Sequence, residues 1–255
     1  MLQSVDFYYF SPTGGTKKAG LLVAEALAEH VNPVDLGKPE LPELPAGDPA
    51  ELAVIAAPVF GGRLPSLTTE RLEKLQGNGT KAVTLAVYGN RAYEDALLEL
   101  NDIISGAGFR IVASAAPVAQ HSMVPEVAAG RPDEEDAVEL RQFAGQILQK
   151  LEQGSADQPV VPGNRPYKAD FSMSVTPVSL PACRLCGTCA AVCPAQAIRL
   201  ENGGVVTDAD TCILRMACTA ACPEKARILP PPLQEQMDQK LGVLKDVRGK
   251  NEMFL

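Results

Sequence analysis

All seven cysteines of the 255-residue chain fall between Cys183 and Cys222, a window of 40 residues, and the first 182 residues contain none. Any fold must therefore join a large cysteine-free part to a small sulfur-dense one. A secreted disulfide scaffold spreads an even number of cysteines over a short chain, so that class is excluded. The larger part needs no staple. With 46% hydrophobic and 21% charged residues the chain can bury a core.

The first cysteine run is Cys183-Arg-Leu-Cys186-Gly-Thr-Cys189-Ala-Ala-Val-Cys193-Pro194. Its spacing, C-x₂-C-x₂-C-x₃-C-P, is the bacterial ferredoxin pattern of iron–sulfur ligation. Three thiolates two residues apart on a tight loop can each reach one iron of a cubane, and the fourth is carried off by the next turn. Small residues between them (Gly187, Thr188, Ala190, Ala191) let backbone N–H groups approach a cluster. The second run, Cys212-Ile-Leu-Arg215-Met-Ala-Cys218-Thr-Ala-Ala-Cys222-Pro223, repeats the first with Arg215 in place of the second cysteine. Structural zinc takes two separated cysteine pairs or cysteine with histidine, and the two histidines, His30 and His121, lie far upstream.

In two-cluster ferredoxins the fourth cysteine of each run ligates the other cluster. That rule gives one cluster Cys183, Cys186, Cys189 and Cys222, a full [4Fe–4S] set. It leaves Cys193, Cys212 and Cys218 for the second. Three readings of that site stand: a [3Fe–4S] cluster, a [4Fe–4S] cluster with one iron not held by a cysteine, or no cluster. Arg215 is a poor ligand because guanidinium stays protonated. It either offsets the negative charge of the cage or faces solvent beside a degenerate site.

The first half alternates apolar strands with amphipathic helices. Strands are expected over 4–10, 34–36, 52–57, 82–87 and 111–117, and helices over 17–31, 67–75 (with Ser66 as N-cap), 93–105 and 134–151. His30 is expected as a dipole partner at the end of the first helix. Five strands with interleaved helices predict a doubly wound parallel sheet. After the first strand comes Phe10-Ser11-Pro12-Thr13-Gly14-Gly15-Thr16, a glycine- and hydroxyl-rich turn into a helix N-terminus, which suits a monophosphate. It matches neither the Walker A loop nor G-x-G-x-x-G, and a plain, well-capped turn is the alternative. Pro58-Val59-Phe60-Gly61-Gly62 follows the third strand and Tyr88-Gly89-Asn90-Arg91-Ala92-Tyr93 the fourth. In a 2-1-3-4-5 sheet these loops meet at the topological switch point, where FMN binds in such folds. Phe60 and Tyr93, with Tyr88 as substitute for either, could sandwich a flat ring. Gly61 supplies a peptide free to flip beside it. His121 follows the fifth strand on the same edge, either lining that pocket, relaying a proton or standing on the surface.

Residues 1–154 resemble the flavodoxin family and residues 181–229 the two-cluster bacterial ferredoxins. Their order resembles the flavodoxin–ferredoxin fusion proteins of anaerobic bacteria, the EFR-type ferredoxins. The resemblance implies FMN, with its phosphate on Ser11, Thr13, Gly14, Gly15 and Thr16. It places the isoalloxazine ring against Pro58, Val59, Phe60, Gly61, Tyr88, Gly89, Asn90 and Tyr93. Phe60 stands where tryptophan is frequent, Asn90 where aspartate is, and Arg215 departs from the ferredoxin pattern.

The expected fold is thus α/β, a flavodoxin-like five-stranded sheet plus a small α+β ferredoxin domain, with a linker over 155–180 and a tail over 230–255. The expected function is electron transfer between FMN and iron–sulfur clusters and on to redox proteins. The alternatives are a flavin-dependent reductase fed by the clusters and an FMN-free iron–sulfur sensor or scaffold. Net charge is −8, with 31 acidic and 23 basic residues. Residues 181–255 carry 9 Lys/Arg and 8 Asp/Glu, so the acidity belongs to the first part. An acidic chain disfavours nucleic acid and should steer partners with a basic docking face. The absence of a basic-then-apolar leader and of an apolar run near 20 residues leads to a cytoplasmic expectation with no membrane span.

Overall fold

The structure, a computed structural model, describes residues 1–41, 50–155, 157–170 and 175–255. Positions 156 and 171–174 of the expected linker lie outside them. The first part runs β1 (Leu2–Tyr9), α1 (Gly15–Leu27), β2 (Ala28–Asp35), β3 (Leu52–Pro58), α2 (Ser66–Leu72), β4 (Lys81–Val87), α3 (Ala96–Gly106), β5 (Arg110–Ala116), α4 (Glu134–Glu152). Five strands pair in parallel in the order β2-β1-β3-β4-β5. All seven residues of β3, Leu-Ala-Val-Ile-Ala-Ala-Pro, are buried, as a central strand covered on both faces requires. Alternation along β1 feeds two cores. Val5, Phe7 and Tyr9 join Val23 and Leu27 of α1 and Leu140, Phe143 and Ile147 of α4. Tyr8 joins Leu72 of α2 and Leu97, Leu100 and Ile104 of α3 on the other face. Gly20 lets α1 close on the sheet, since a Cβ there would lie 2.4 Å from the Phe7 ring.

Two local expectations are corrected. The helical period runs to Val31, but the helix ends at Leu27 and Ala28 turns to extended φ −140°, ψ 158°. Pairing of Leu2 with Ala28 and Ser4 with His30 takes that segment into β2, so His30 is an exposed edge-strand residue and not part of the last turn of α1. Ser66 is the first helical residue of α2. Extended Pro65 precedes it, and no side-chain cap is present.

The cysteine part contains β6 (Val178–Ser179), α5 (Thr188–Ala191), β7 (Ile198–Glu201), β8 (Gly204–Thr207), α6 (Ala217–Ala220) and β9 (Arg227–Ile228). Strand β6 pairs with β9, and β7 with β8 through the left-handed pair Asn202-Gly203 (φ 51° and 75°), the backbone twist a tight hairpin needs. Then α7 (Pro231–Leu241) leads through a short 3₁₀ turn to β10 (Glu252–Phe254). Strand β10 returns to the first part and pairs antiparallel with β5, a sixth strand beyond the expected five.

Two segments lace the parts together. Before the cysteines, Asn164 N and Lys168 N donate to the buried Asp95 carboxylate at 2.9 and 2.8 Å, and Arg165 and Tyr167 bond Asp102. After them, Arg248 pairs with Asp133 at 2.7 Å and the Arg131 guanidinium donates to Gly249 O at 2.8 Å. The run Glu134-Glu135-Asp136 opens α4 as expected, but its third member is fully buried. Asp133 and Asp136 form a reciprocal capping box, and Asp136 also takes the Arg131 guanidinium and the Asn251 amide. Arg71 of α2, buried over the Phe10 ring, donates to Lys38 O at 2.6 Å, to Leu36 O, and to Pro194 O of the cysteine part at 2.9 Å.

Candidate functional site

A cavity of about 210 Å³ opens at the carboxyl edge of the sheet. Its floor comes from the loops after β1, β3, β4 and β5, the positions the sheet order selects for a ligand. Thr13, Gly15, Thr16, Pro58, Val59, Phe60, Gly61, Tyr88 and Gly89 line it. In the first loop Gly14 takes φ +91°, which aims the chain into α1. The Ser11 hydroxyl accepts from Lys17 N at 2.9 Å and so serves the helix start. The first turn of α1 offers backbone N–H groups without intrahelical partners to an anion at the mouth. The second loop closes on Gly61-Gly62, both at positive φ (60° and 87°), with Phe60 and Arg63 exchanging backbone hydrogen bonds across the turn.

Four expected contacts are not on this wall. Ser11 is turned to the helix, and Gly14 faces a larger adjoining cleft of about 730 Å³ that shares Thr13, Gly15 and His121 with the cavity. Asn90 and Tyr93 lie behind the wall and hold the chain's tail. Asn90 donates to Val247 O and accepts from Gly249 N, and the Tyr93 hydroxyl donates to Glu252. Tyr93 packs edge-on against Tyr88 at 5.4 Å, so Tyr88 is the aromatic that reaches the cavity opposite Phe60.

Two contributors, α7 and Lys168, escaped the sequence reading, while His121 lines the cavity on the edge expected for it. Met237, Lys240 and Leu241 of α7 roof the cavity, although the helix belongs to the cysteine part. Lys168 enters from the lacing segment. His121 is held by its neighbours: Met123 N and Val124 N both donate to Nδ1 at 3.2 Å. With Nδ1 spent as acceptor, Nε2 carries the hydrogen of the neutral ring. Burial, reinforced by the Arg91 charge, pulls its pKa down to about 4. His121 is therefore a fixed hydrogen-bond donor at neutral pH and carries no titrating proton there. A Cβ on Gly89 would lie 2.5 Å from its ring, so the small residue makes room for it.

The thiols form two groups. Cys183, Cys186, Cys189 and Cys222 line one small space, together with Gly187, Thr188 and Arg227. Cys193, Cys212 and Cys218 pack into one apolar cluster with Ala197 and Ile198, which Cys189 of the first group also joins. Burial pushes the Cys212 and Cys218 thiols up, and the nearby Cys193 adds to this. All seven are free of disulfides. Among the described residues no three His, Cys, Asp or Glu side chains gather closely enough to hold a single metal ion. Thiols spread around a shared space are instead the donor arrangement of a multi-iron cluster.

Arg227, 3% exposed, stands between the groups, and no motif announced it. It donates to Ser179 Oγ at 3.0 Å and Thr207 Oγ1 at 2.8 Å, and its Nε has no partner. Its charge acts against burial at Cys189 and Cys218, lowering the cost of thiolate in both groups. An unpartnered buried N–H beside thiols fits an anionic sulfur cage.

The two sites meet. Leu214 and Met216 of the second run share a core with Met123, Val124, Leu233 and Met237, and Phe60 packs against it. The Arg215 guanidinium carbon lies 4.2 Å from the Phe60 ring centroid. Burial lowers the Arg215 pKa to about 10, still charged at neutral pH, and its Nε has no partner.

Residues 178–240 match the family model of a 4Fe-4S dicluster domain. The strand order of the first part is that of the flavodoxin-like fold. The chain as a whole joins a flavodoxin-like domain to a 4Fe-4S one. Among solved structures it is similar to a flavodoxin of Streptococcus pneumoniae TIGR4, at 21% identity and TM-score 0.43 over 58% of this chain and 99% of that one. An archaeal flavodoxin matches at 13% and 0.40 over 59% and 99%. Rubredoxin:oxygen oxidoreductase of Desulfovibrio gigas matches at 15% and 0.42, over 59% of this chain and 36% of that one. No curated protein matches. Among the described residues no helix is long and apolar enough to cross a membrane.

Proposed function

We propose that the chain is an intramolecular electron carrier of the EFR type, with FMN in the cavity at the sheet edge and two iron–sulfur clusters in the cysteine part. Bound FMN exchanges one or two electrons and each cluster one, so the pair converts between the two currencies. Thr13, Gly15 and Thr16 hold the phosphate at the α1 N-terminus, while Phe60 and Tyr88 flank the ring. His121 Nε2–H donates into the cavity, and α7 shields it from water. Cys183, Cys186, Cys189 and Cys222 hold a [4Fe–4S] cluster. Cys193, Cys212 and Cys218 hold a [3Fe–4S] cluster, or a [4Fe–4S] cluster with one iron free of protein sulfur. The observation that carries this reading is the packing of the second cysteine run on Phe60, which brings the two sites into contact.

Exposed Cys186 and Leu185 mark the first run as the exit to a redox protein. The acidity of the first part favours a partner with a basic face, in a reducing cytoplasm. One observation favours a second reading, a flavin-dependent reductase of a small substrate. The cavity is lined by His121 and Arg91 and continues into the 730 Å³ cleft, room beyond what the ring requires.

Anaerobic purification with FMN, iron and sulfide counts, and EPR of the oxidised protein, tests the first reading. One FMN and about seven irons with a three-iron signal are expected, and about eight irons without that signal assign the second site as [4Fe–4S]. Clusters without FMN would remove the carrier. Turnover of a small electron acceptor that protects the cleft from labelling would select the reductase.

A further inference from the structure

Arg215 occupies the place of the missing cysteine, and its side chain is half-buried and makes no ion pair or hydrogen bond among the described residues. One face of its guanidinium lies on Phe60, a wall of the flavodoxin-like cavity, at 4.2 Å. Its Nε is buried without a hydrogen-bond partner. The Cys212 thiol three residues back is close enough to act on its charge. A buried N–H left unpaired costs free energy, so a retained one points to an acceptor supplied from outside the polypeptide. The acceptor the surroundings select is anionic sulfur, because Cys193, Cys212 and Cys218 meet in one apolar cluster.

We infer that Arg215 is a positioning cation shared by the two sites, set between the second cluster and the ring in the cavity, and that it raises the reduction potential of both. This rests on the carrier reading above. Each reduction step makes the cluster, or the ring in its anionic reduced form, more negative. A fixed positive charge in a partly buried interface favours the reduced form of whatever lies on either side. The exchange of cysteine for arginine is then a trade, in which a ligand is given up for a charge at a point where the second cysteine run meets the other domain. The first thiol group includes solvent-exposed Cys186, so water screens a cluster held there from Arg215 more than one held by the second group.

The test uses the full chain purified anaerobically, as wild type, Arg215→Gln and Arg215→Lys, with FMN and iron counted before potentiometric titration followed by EPR and visible absorbance. In R215Q the reduced-to-oxidised ratio of the second cluster at fixed potential falls on the order of tenfold, ~59 mV for one electron. The flavin shifts in the same direction and the first cluster stays within about twofold. R215K keeps the charge and returns both shifted centres to within about twofold of wild type. Unchanged second-cluster and flavin potentials in a fully loaded R215Q overturn the inference, as does a tenfold fall in R215K. A wild-type chain lacking FMN or second-site iron fails earlier, at the counts, and takes the carrier reading down with it.

Discussion

Leu185 and Leu214 hold the same place in the two cysteine runs, two residues after the leading cysteine, and both take left-handed φ, 55° and 49°. The likeness continues residue by residue. Gly187 and Met216 (φ 79° and 62°) each start a one-turn helix, and Gln196 and Lys225 (φ 53° and 52°) each follow the Cys-Pro end. Ala197 N donates to Cys193 Sγ at 3.4 Å and Ala226 N to Cys222 Sγ at 3.3 Å. Surroundings separate them: Leu185 is 38% exposed and Leu214 5%. Met216 keeps a strained left-handed backbone without being glycine because its side chain fills the contact with the first domain. Cysteine spacing and proline set the backbone of such a run, while the residues between the cysteines answer to what the run faces. Leu185 of the first run is exposed, Leu214 of the second packs toward Phe60, and Arg215 stands at the second cysteine position of the inward one.

The largest effect should come from crossing that symmetry. Cys222→Ser, in the second run, should abolish the same EPR signal as Cys183→Ser. Cys193→Ser, in the first, should abolish the one lost in Cys212→Ser and Cys218→Ser. Each variant should forfeit about half the iron. A C193S chain that behaves like C183S would break the crossed arrangement. Next comes the paired truncation: Leu214→Ala should cost about 2–4 kcal/mol and Leu185→Ala no more than ~0.5, by urea unfolding of the full chain. Equal losses would show that the inward contact adds nothing. Arg71→Ala, which strips the buried bonds to Leu36, Lys38 and Pro194, should cost about 2–3 kcal/mol in the same measurement.

The mildest concerns pH. His121 is held neutral with a pKa of about 4 against an unfolded value near 6.5. Between those values the unfolded chain binds the extra proton. Stability is therefore full above about pH 6.5 and declines as pH falls toward about 4. His121→Gln should flatten that stretch of the stability profile, and an unchanged slope would show that Nδ1 is not committed to the Met123 and Val124 amides.

Much of the architecture was legible because it rests on periodicity. The continuous apolar run Leu52–Pro58 can only be a central strand, and Lys81–Val87 and Arg110–Ala116 repeat its pattern. What escaped depends on contacts distant in sequence. Ala28–Val31 continues a helical period, yet pairing with β1 takes it as strand. Strand β10 has three residues, too few for any period, and exists because the exposed edge of β5 accepts it. The cavity loops announced themselves by glycine and hydroxyl content, whereas the roof of α7 did not, since Met237 and Leu241 read as an ordinary amphipathic helix. Arg71 and Arg227 are single cations with no motif, and burial alone distinguishes them. Asn90 and Tyr93 sit in the right loop but spend their polar atoms on the tail.

Strand β10 also changes how the cysteine part is topologically attached. Because the chain returns to β5 after the cysteine runs, the module is a closed loop of the first domain, held at both ends rather than hanging from one tether. A singly tethered module samples a volume set by its linker, and the encounter rate of its centres falls as that linker lengthens. Closure at both ends replaces that search with a fixed separation, so internal exchange becomes independent of viscosity and only the step to an outside partner is left to diffusion.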